Sequence, residues 1–396
     1  MNNVNPSQLK KLAAANGKHF VSIYAPMHRS GKKIQQNAIH WKNAIRNVRE
    51  LLASGGAEDD LIDSILQPAE SRLDDDNFWQ HQSDGLAFFV SEEFSESFRL
   101  SAGFDAQVYV GNEFLVTPLL QAANHEHECY ILAVSPKRVR LLKMNANEIV
   151  DLDADELPKN MRDALNIDEY VSTLQFHSTA SSGRDAMHHG HGGGDADEKK
   201  KDLLQYFHRL NDALDEHFGV EDAPLIFAGV EYLFPIFQEA CHYRNLVAEP
   251  IGGNPDEMSP DELKQQAVPI VNAMLVKRRS TAIGKYAEKA HTDWASDDPL
   301  EICRAAAMGQ VETLLIVEGF TCPATRDKDG RFELANEQSV EATDVANLAA
   351  IETIRNGGVA ISIAPEEMPN EKQLAASYRS PASQFAGQST VHNQPQ

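Results

Sequence analysis

Residues 305–319 read AAAMGQVETLLIVEG. With PLEICR ahead of it, the stretch 299–308 spaces its apolar and small residues as a helix does, and Gly309 stops it. VETLLIV (311–317) is short, apolar and rich in β-branched residues, as a buried strand is. The pattern repeats downstream, where a helix is expected over 343–355 and a strand over 359–363, VAISI. Helices alternating with buried strands pack in layers, so this part of the chain is expected to form a small α/β/α sandwich. Cys303, on the apolar helix, reads as a small core residue.

Upstream, Ser259, Pro260 and Glu262 mark a helix start, with Pro at the first helical position. Pro269 is expected to kink or interrupt that helix. Lys277, Arg278 and Arg279 read as its exposed end. Gly252-Gly253-Asn254 before Pro255 reads as a turn. PLIFAG (224–229) is expected to be a buried strand leading into a helix over 231–241. CYILAV (129–134) and RVRLLKM (138–144) are expected strands joined by a turn at Ser135 and Pro136.

Between these lies HSTASSGRDAMHHGHGGG (177–194), with five glycines, four histidines and no apolar periodicity. A structureless loop of that length inside a domain is functional or disordered. A helix restarts after it: Asp195 and Glu198 have capping-box spacing, and Leu203, Phe207, Leu210, Leu214 and Phe218 make one apolar stripe.

At the other end, KHFVSIYA (18–25) reads as a strand, followed by the polar loop MHRSGKKIQQN with Arg29, Lys32 and Lys33 around Gly31. A long amphipathic helix follows, with Ile39, Ile45, Val48 and Leu52 as its apolar face and Gly55 and Gly56 as its stop. GLAFFV (85–90), 106–110 and 114–116 are expected strands. The whole is therefore α/β, in three parts: 1–125, 126–270 and 271–378. From Arg379 the Ser, Gln, Pro and Asn content reads as a disordered tail, 379–396.

Bulk properties narrow the function. A chain of 396 residues exceeds one ordinary core, since domains hold ~100–200 residues. Its 42% hydrophobic and 24% charged composition is that of a globular protein. No apolar run reaches the ~20 residues that span a bilayer, and MNNVNPSQLKKLAAANGKHF lacks the core of a secretion signal, so a cytoplasmic protein with no membrane partner is expected. Cys129, Cys241, Cys303 and Cys322 have no C-x-x-C spacing, which argues against disulfides and a zinc ribbon. A net charge of -23 argues against indiscriminate RNA binding, though not against local basic patches.

The segment 305–319 resembles the closing domain of Pelota and of the archaeal-eukaryotic peptide-release factors. SIYAPMHRSGKKIQQNAIHWKNAIRNVRELL (22–52) is similar to the bacterial branch of that superfamily, which includes a ribosome hibernation factor. The resemblance spans most of 18–378. It implies an N-terminal α/β domain (1–125) facing the decoding centre and a central RNase-H-like domain (126–270) carrying loop 177–194 towards the peptidyl-transferase centre. A C-terminal L7Ae-like domain (271–378) would contact a GTPase of the elongation-factor-Tu type or ribosomal proteins. The whole would take the place of a tRNA on the rRNA of the A site. Release factors carry Gly-Gly-Gln at the loop tip. Here His191-Gly192-Gly193-Gly194-Asp195 stands there, so the glycines remain and the glutamine is missing.

The site residues follow. His188, His189 and His191 suit a metal, but all sit in one glycine-rich tip without a cysteine or carboxylate at ligand spacing, so stacking on RNA is the stronger reading. Gly192, Gly193 and Gly194 would allow close backbone approach. Arg29, Lys32 and Lys33 could grip phosphate, or be a solvated loop. Lys199, Lys200 and Lys201 run against the helix dipole in an exposed first turn, which also suits phosphate contact. No G-x-S-x-G elbow, H-E-x-x-H or phosphate-cradling G-x-x-x-x-G-K-[ST] loop is present, so no catalytic residue and no cofactor are expected. The leading expectation is a non-catalytic factor that fills vacant A sites under stress. The alternatives are a rescue or release factor for stalled ribosomes, and a metal-dependent hydrolase on the RNase-H-like fold.

Overall fold

The computed structural model describes residues 4–29, 31, 33–101, 103–123, 128–145, 148–165, 194–218, 223–327, 331–335 and 342–385. β1 (Phe20–Pro26) is an inner strand of an antiparallel sheet with β2 (Gly85–Val90), β3 (Ser95–Leu100) and β4 (Gln107–Gly111), in the order β3-β2-β1-β4. Its register sets Val21 opposite Val90 and Pro26 opposite Gly85. Period-two alternation then sorts the side chains onto two faces. Val21, Ile23, Leu86, Phe88 and Val90 pack in one core, and Phe20, Tyr24, Phe89, Phe98 and Leu100 in another.

The first core is closed by α2 (Ile34–Ser54) and α3 (Asp59–Glu70), and α1 (Pro6–Ala13), α4 (Asp76–Gln80) and α5 (Thr117–Ala123) complete the segment. The buried face of α2 is Asn37, Trp41, Ala44, Ile45, Val48 and Leu52. Ile39 is 59% exposed, contrary to expectation, because the steps 41, 45, 48 and 52 keep one face and 39 falls off it. Trp41 is fully buried and its indole N–H donates to Ala69 O at 2.9 Å, tying α2 to α3. Burying a large apolar side chain stabilises by about 2–3 kcal/mol. Residues 114–116 are not a strand. Phe114, Leu115 and Val116 are buried in irregular backbone, and side chains satisfy its amides: Ser22 Oγ takes the Leu115 N–H at 2.9 Å.

Residues 127–271 form a compact unit of their own. β5 (Cys129–Val134), β6 (Val139–Met144) and β7 (Ile149–Leu152) are antiparallel, while β8 (Leu225–Gly229) and β9 (Ile251–Gly252) add in parallel, in the order β7-β6-β5-β8-β9. Three antiparallel strands extended by two parallel ones make it a mixed sheet. Every residue of β5 is buried, as in a central strand covered on both faces. Tyr130, Leu132 and Val134 pack with α6 (Met161–Leu165), α7 (Gly194–Phe218) and α8 (Leu233–Ala240). The α7 stripe is present, with Phe207, Leu210, Leu214 and Phe218 buried and Leu203 at its edge. Asp195 lies inside this helix rather than before it, so it is not the cap residue that its spacing suggests.

α9 (Pro260–Lys289) starts where expected and opens with a reciprocal cap, Ser259 N–H donating to Glu262 at 2.8 Å and Glu262 N–H to Ser259 Oγ at 3.3 Å. It runs on through Pro269. Leu263, Ala267, Ile270 and Val271 are buried around the proline, and Ala282 and Tyr286 beyond it. Burial on both sides outweighs the ~3 kcal/mol cost of a helical proline. Lys277–Arg279 consequently sit within the helix, not at its end, with Arg279 Nε 3.0 Å from Glu367.

The chain closes with β10 (Ala295–Ser296), α10 (Pro299–Ala307), β11 (Val311–Val317), β12 (Pro323–Arg326), β13 (Phe332–Leu334), β14 (Thr343–Asp344), α11 (Val345–Arg355), β15 (Val359–Ile363), β16 (Leu374–Tyr378) and α12 (Ala382–Phe385). The main sheet runs β10-β16-β11-β15, with β11 and β15 parallel. Leu314 and Ile316 face α10 and α11, and Leu315 and Val317 face Ala282 and Tyr286 of α9. The α/β/α sandwich follows from that alternation. Gly309 ends α10 at φ +71°, a left-handed value that favours glycine. Arg379 is not part of a loose tail: it donates to Gly309 O at 2.9 Å and Asn356 O at 3.0 Å. Residues 386–396 lie outside the described set.

Residues 1–126 and 272–396 cluster as one unit. Phe20, Phe89 and Phe114 share a core with Ile302, Leu314, Ile351 and Leu374. The first and third sequence segments are therefore halves of one packed body.

Candidate nucleic-acid interface

Residues 27–29 are held in place by their neighbours. Met27 N–H donates to Asp84 O at 2.9 Å. The buried Asn37 side chain accepts His28 N–H at 3.0 Å and donates back to His28 O at 3.1 Å. Gly31, at φ +83°, makes the turn into α2. Arg29 grips Asp84 through Nε and Nη2, each at 2.7 Å, with the two side chains 45% and 47% exposed. Its charge is thus half spent on fixing the loop. Lys33 stands exposed at the start of α2, with no side-chain cap bond. Lys32 lies outside the described residues.

The second group of basic residues belongs to the other unit. α7 begins at Gly194, the last glycine of the loop, and Lys199, Lys200 and Lys201 are exposed on its first turns. Lys200 Nζ lies 3.4 Å from Glu239 of α8, both more than half exposed, so the pair stabilises little. His188, His189, His191, Gly192 and Gly193 lie outside the described residues. The structure thus brings Arg29 and Lys33 to one turn and Lys199 and Lys200 to another. Sequence reasoning missed Asp84 and Asn37, which shape the first turn. Asp84 is 55 positions from Arg29, and no local pattern joins them.

The chemistry available elsewhere is limited. Burial pushes the Cys129 and Cys303 thiols up to about 12, and raises Cys241 and Cys322, so none is a ready thiolate nucleophile. Among the described residues, no three His, Cys, Asp or Glu side chains gather as metal ligands. β5, central in the sheet, carries no carboxylate. Also among the described residues, no helix is long and apolar enough to cross a membrane.

Residues 129–273 match the sequence model of Bacterial archaeo-eukaryotic release factor family 7. No curated protein matches the sequence. Solved structures similar to this chain include an archaeal translation termination factor, aRF1 (14% identity, 96% of this chain and 99% of that one, TM-score 0.22). The Pelota protein of Thermoplasma acidophilum is 11% identical over 96% of this chain and 95% of its own, with a TM-score of 0.25. Dom34 of S. cerevisiae, a translation termination-like factor, is 10% identical over 74% of each chain, with a TM-score of 0.36.

Proposed function

We propose, from the match of residues 129–273 to the model of Bacterial archaeo-eukaryotic release factor family 7, that this chain binds the ribosome and occupies the A site without catalysing peptide release. That family match carries the reading. It covers the unit in which α7 rises directly from the Gly/His-rich stretch, where release factors present their tip to the ribosome. The missing glutamine favours occupation over hydrolysis: His191-Gly192-Gly193-Gly194 can approach RNA closely but offers no side-chain amide to order a water. We read the protein as a hibernation factor acting in the cytoplasm under stress. Residues 271–378 are the segment we assign to contacts with an elongation-factor-Tu-like GTPase or with ribosomal proteins.

The test is sucrose-gradient sedimentation with ribosomes from growing and from stationary cells. The protein is expected to travel with vacant ribosomes and to compete with tRNA for the A site. Recovery only in the soluble fraction under both conditions would remove the proposal.

A further inference from the structure

A cavity of about 480 Å³ opens beside α4, lined by Arg72, Asp75, Asn77, Phe78, His81 and Arg99. Three elements build it. Arg72 follows the end of α3, Asp75 to Phe78 lead into and form α4, and Arg99 comes from β3, where it stands opposite Leu86. Two guanidiniums and an imidazole thus converge against one carboxylate, in a chain whose net charge is -23.

The carboxylate is already committed. Asp75 Oδ1 accepts the Phe78 N–H at 2.9 Å and so caps α4. Its link to Arg72 is loose, Nη1 to Oδ2 at 3.6 Å, beyond hydrogen-bond length. Arg72 Nε is buried and has no hydrogen-bond partner. Its guanidinium is held over the Phe78 ring, 5.2 Å from the centroid, and Phe78 is only 6% exposed. The ring contact holds the guanidinium in place while its only ion pair is a loose one, which leaves N–H donors for a planar or tetrahedral anion. His81 Nδ1 is engaged by Asn77 O at 3.0 Å, which directs Nε2 away from its own helix.

We propose that this cavity binds the phosphate of a nucleotide, as a link in an RNA strand or as a free nucleotide, with Arg72 and Arg99 as its two anchors. The Arg72 side chain is 42% exposed and its Nη1 makes only the loose pair with Asp75, so the open end of the fork can donate to a phosphate oxygen. The volume falls within the ~300–1,000 Å³ of small-molecule sites, enough for a sugar and base beside the phosphate. The assignment does not rest on ribosome binding. A chain that fails to sediment with ribosomes yet binds RNA through Arg72 and Arg99 would sink the proposed function and leave this site standing.

The experiment titrates the full chain with a labelled short single-stranded oligoribonucleotide, followed by anisotropy, and separately with AMP by calorimetry. Arg72→Ala and Arg99→Ala are each expected to weaken binding by about tenfold or more, since each removes a charge-assisted pair. Arg72→Lys should restore only part of it, because an ammonium lacks the fork. Lys18→Ala, at an unrelated exposed position, should bind as the parent does. Asp75→Asn keeps the cap acceptor and removes the competing charge, so it should tighten binding severalfold even if an arginine variant fails to fold. Binding of both probes points to a free nucleotide, and binding of the oligonucleotide alone to an RNA strand. No binding of either probe, or unchanged binding in folded Arg72→Ala and Arg99→Ala together, would overturn the proposal.

Discussion

The Asn347 side-chain oxygen accepts the Val116 backbone N–H at 2.7 Å, across 231 positions of sequence, and its amide donates to Phe114 O at 2.8 Å. Asn347 is 2% exposed, so no water replaces it. Asn347→Leu takes the acceptor from the Val116 and Thr117 N–H groups and the donor from Phe114 O, each buried group so orphaned costing roughly 1–3 kcal/mol. We expect urea unfolding to show a loss of about 2–4 kcal/mol, and a change below about 0.5 kcal/mol would contradict this account of the 114–117 segment.

Arg29 makes the opposite case. Its pair with Asp84 is nearly half exposed on both sides, and such pairs contribute about 0–1 kcal/mol. Arg29→Ala should therefore leave the thermal midpoint within a few degrees of the parent. If the loop grips phosphate, the same variant should lose ribosome co-sedimentation, more steeply as salt is raised. Unchanged sedimentation at every salt concentration would reduce Arg29 to a loop clamp.

Two carboxylates should bend the pH dependence of stability in opposite directions. Burial raises the Asp344 carboxyl, outweighing the hydrogen bonds it accepts from the Cys322 and Ala346 N–H groups. The folded state then holds that proton more readily than the unfolded chain. This contribution strengthens as pH falls from the raised folded value towards the unfolded value near about 4. At Glu92 burial also pushes upward, but hydrogen bonds from His19 and from the Lys18 and His19 amides leave it lowered. Its contribution is present above the unfolded value and is lost as pH drops through the folded one. In urea midpoints measured between about pH 3 and 7, Asp344→Asn should flatten the first trend and Glu92→Gln the second. Profiles running parallel to the parent's would show that neither group is linked to folding as described.

The glycine tip separates occupation from hydrolysis. Gly192→Val with Gly193→Val should weaken ribosome binding, since β-branched residues resist positive φ and crowd an approaching RNA backbone. The parent chain should release no peptide from preloaded ribosomes. Stoichiometric, codon-independent release would replace hibernation with rescue, and release abolished by a chelator would point to a metal-dependent hydrolase.

Strands made of unbroken apolar runs were legible at once. Gly85–Val90, Val311–Val317 and Val359–Ile363 have the bounds their composition suggests. β3 escaped because SESFRL has only two apolar residues, on the one face it buries. LAASY of β16 escaped because alanine and serine have little strand preference, and pairing with β11 imposes the conformation. The basic and glycine-rich residues of the candidate interface stood out as residue types. Their fixing partners did not, because Asp84 and Asn37 owe their roles to folding rather than to spacing. The cavity of Arg72 and Arg99 was invisible for the same reason, as its two anchors meet only when β3 is laid beside β2.

The core shared by residues 4–123 and 272–385 also sets an order of events during synthesis. Residues 127–271 have all their sheet neighbours within their own span, so that unit can fold as soon as it leaves the exit tunnel. The aromatic face of Phe20, Phe89 and Phe114 must wait until the residues that cover it have been made. At ~5–20 residues per second the stretch from Phe114 to Leu374 takes roughly 13–50 s, during which a sticky surface is open to chaperones and to neighbouring nascent chains. Stalled chains released after residue 126 should therefore bind a hydrophobic dye and be digested readily, while those released after the third segment should resist both.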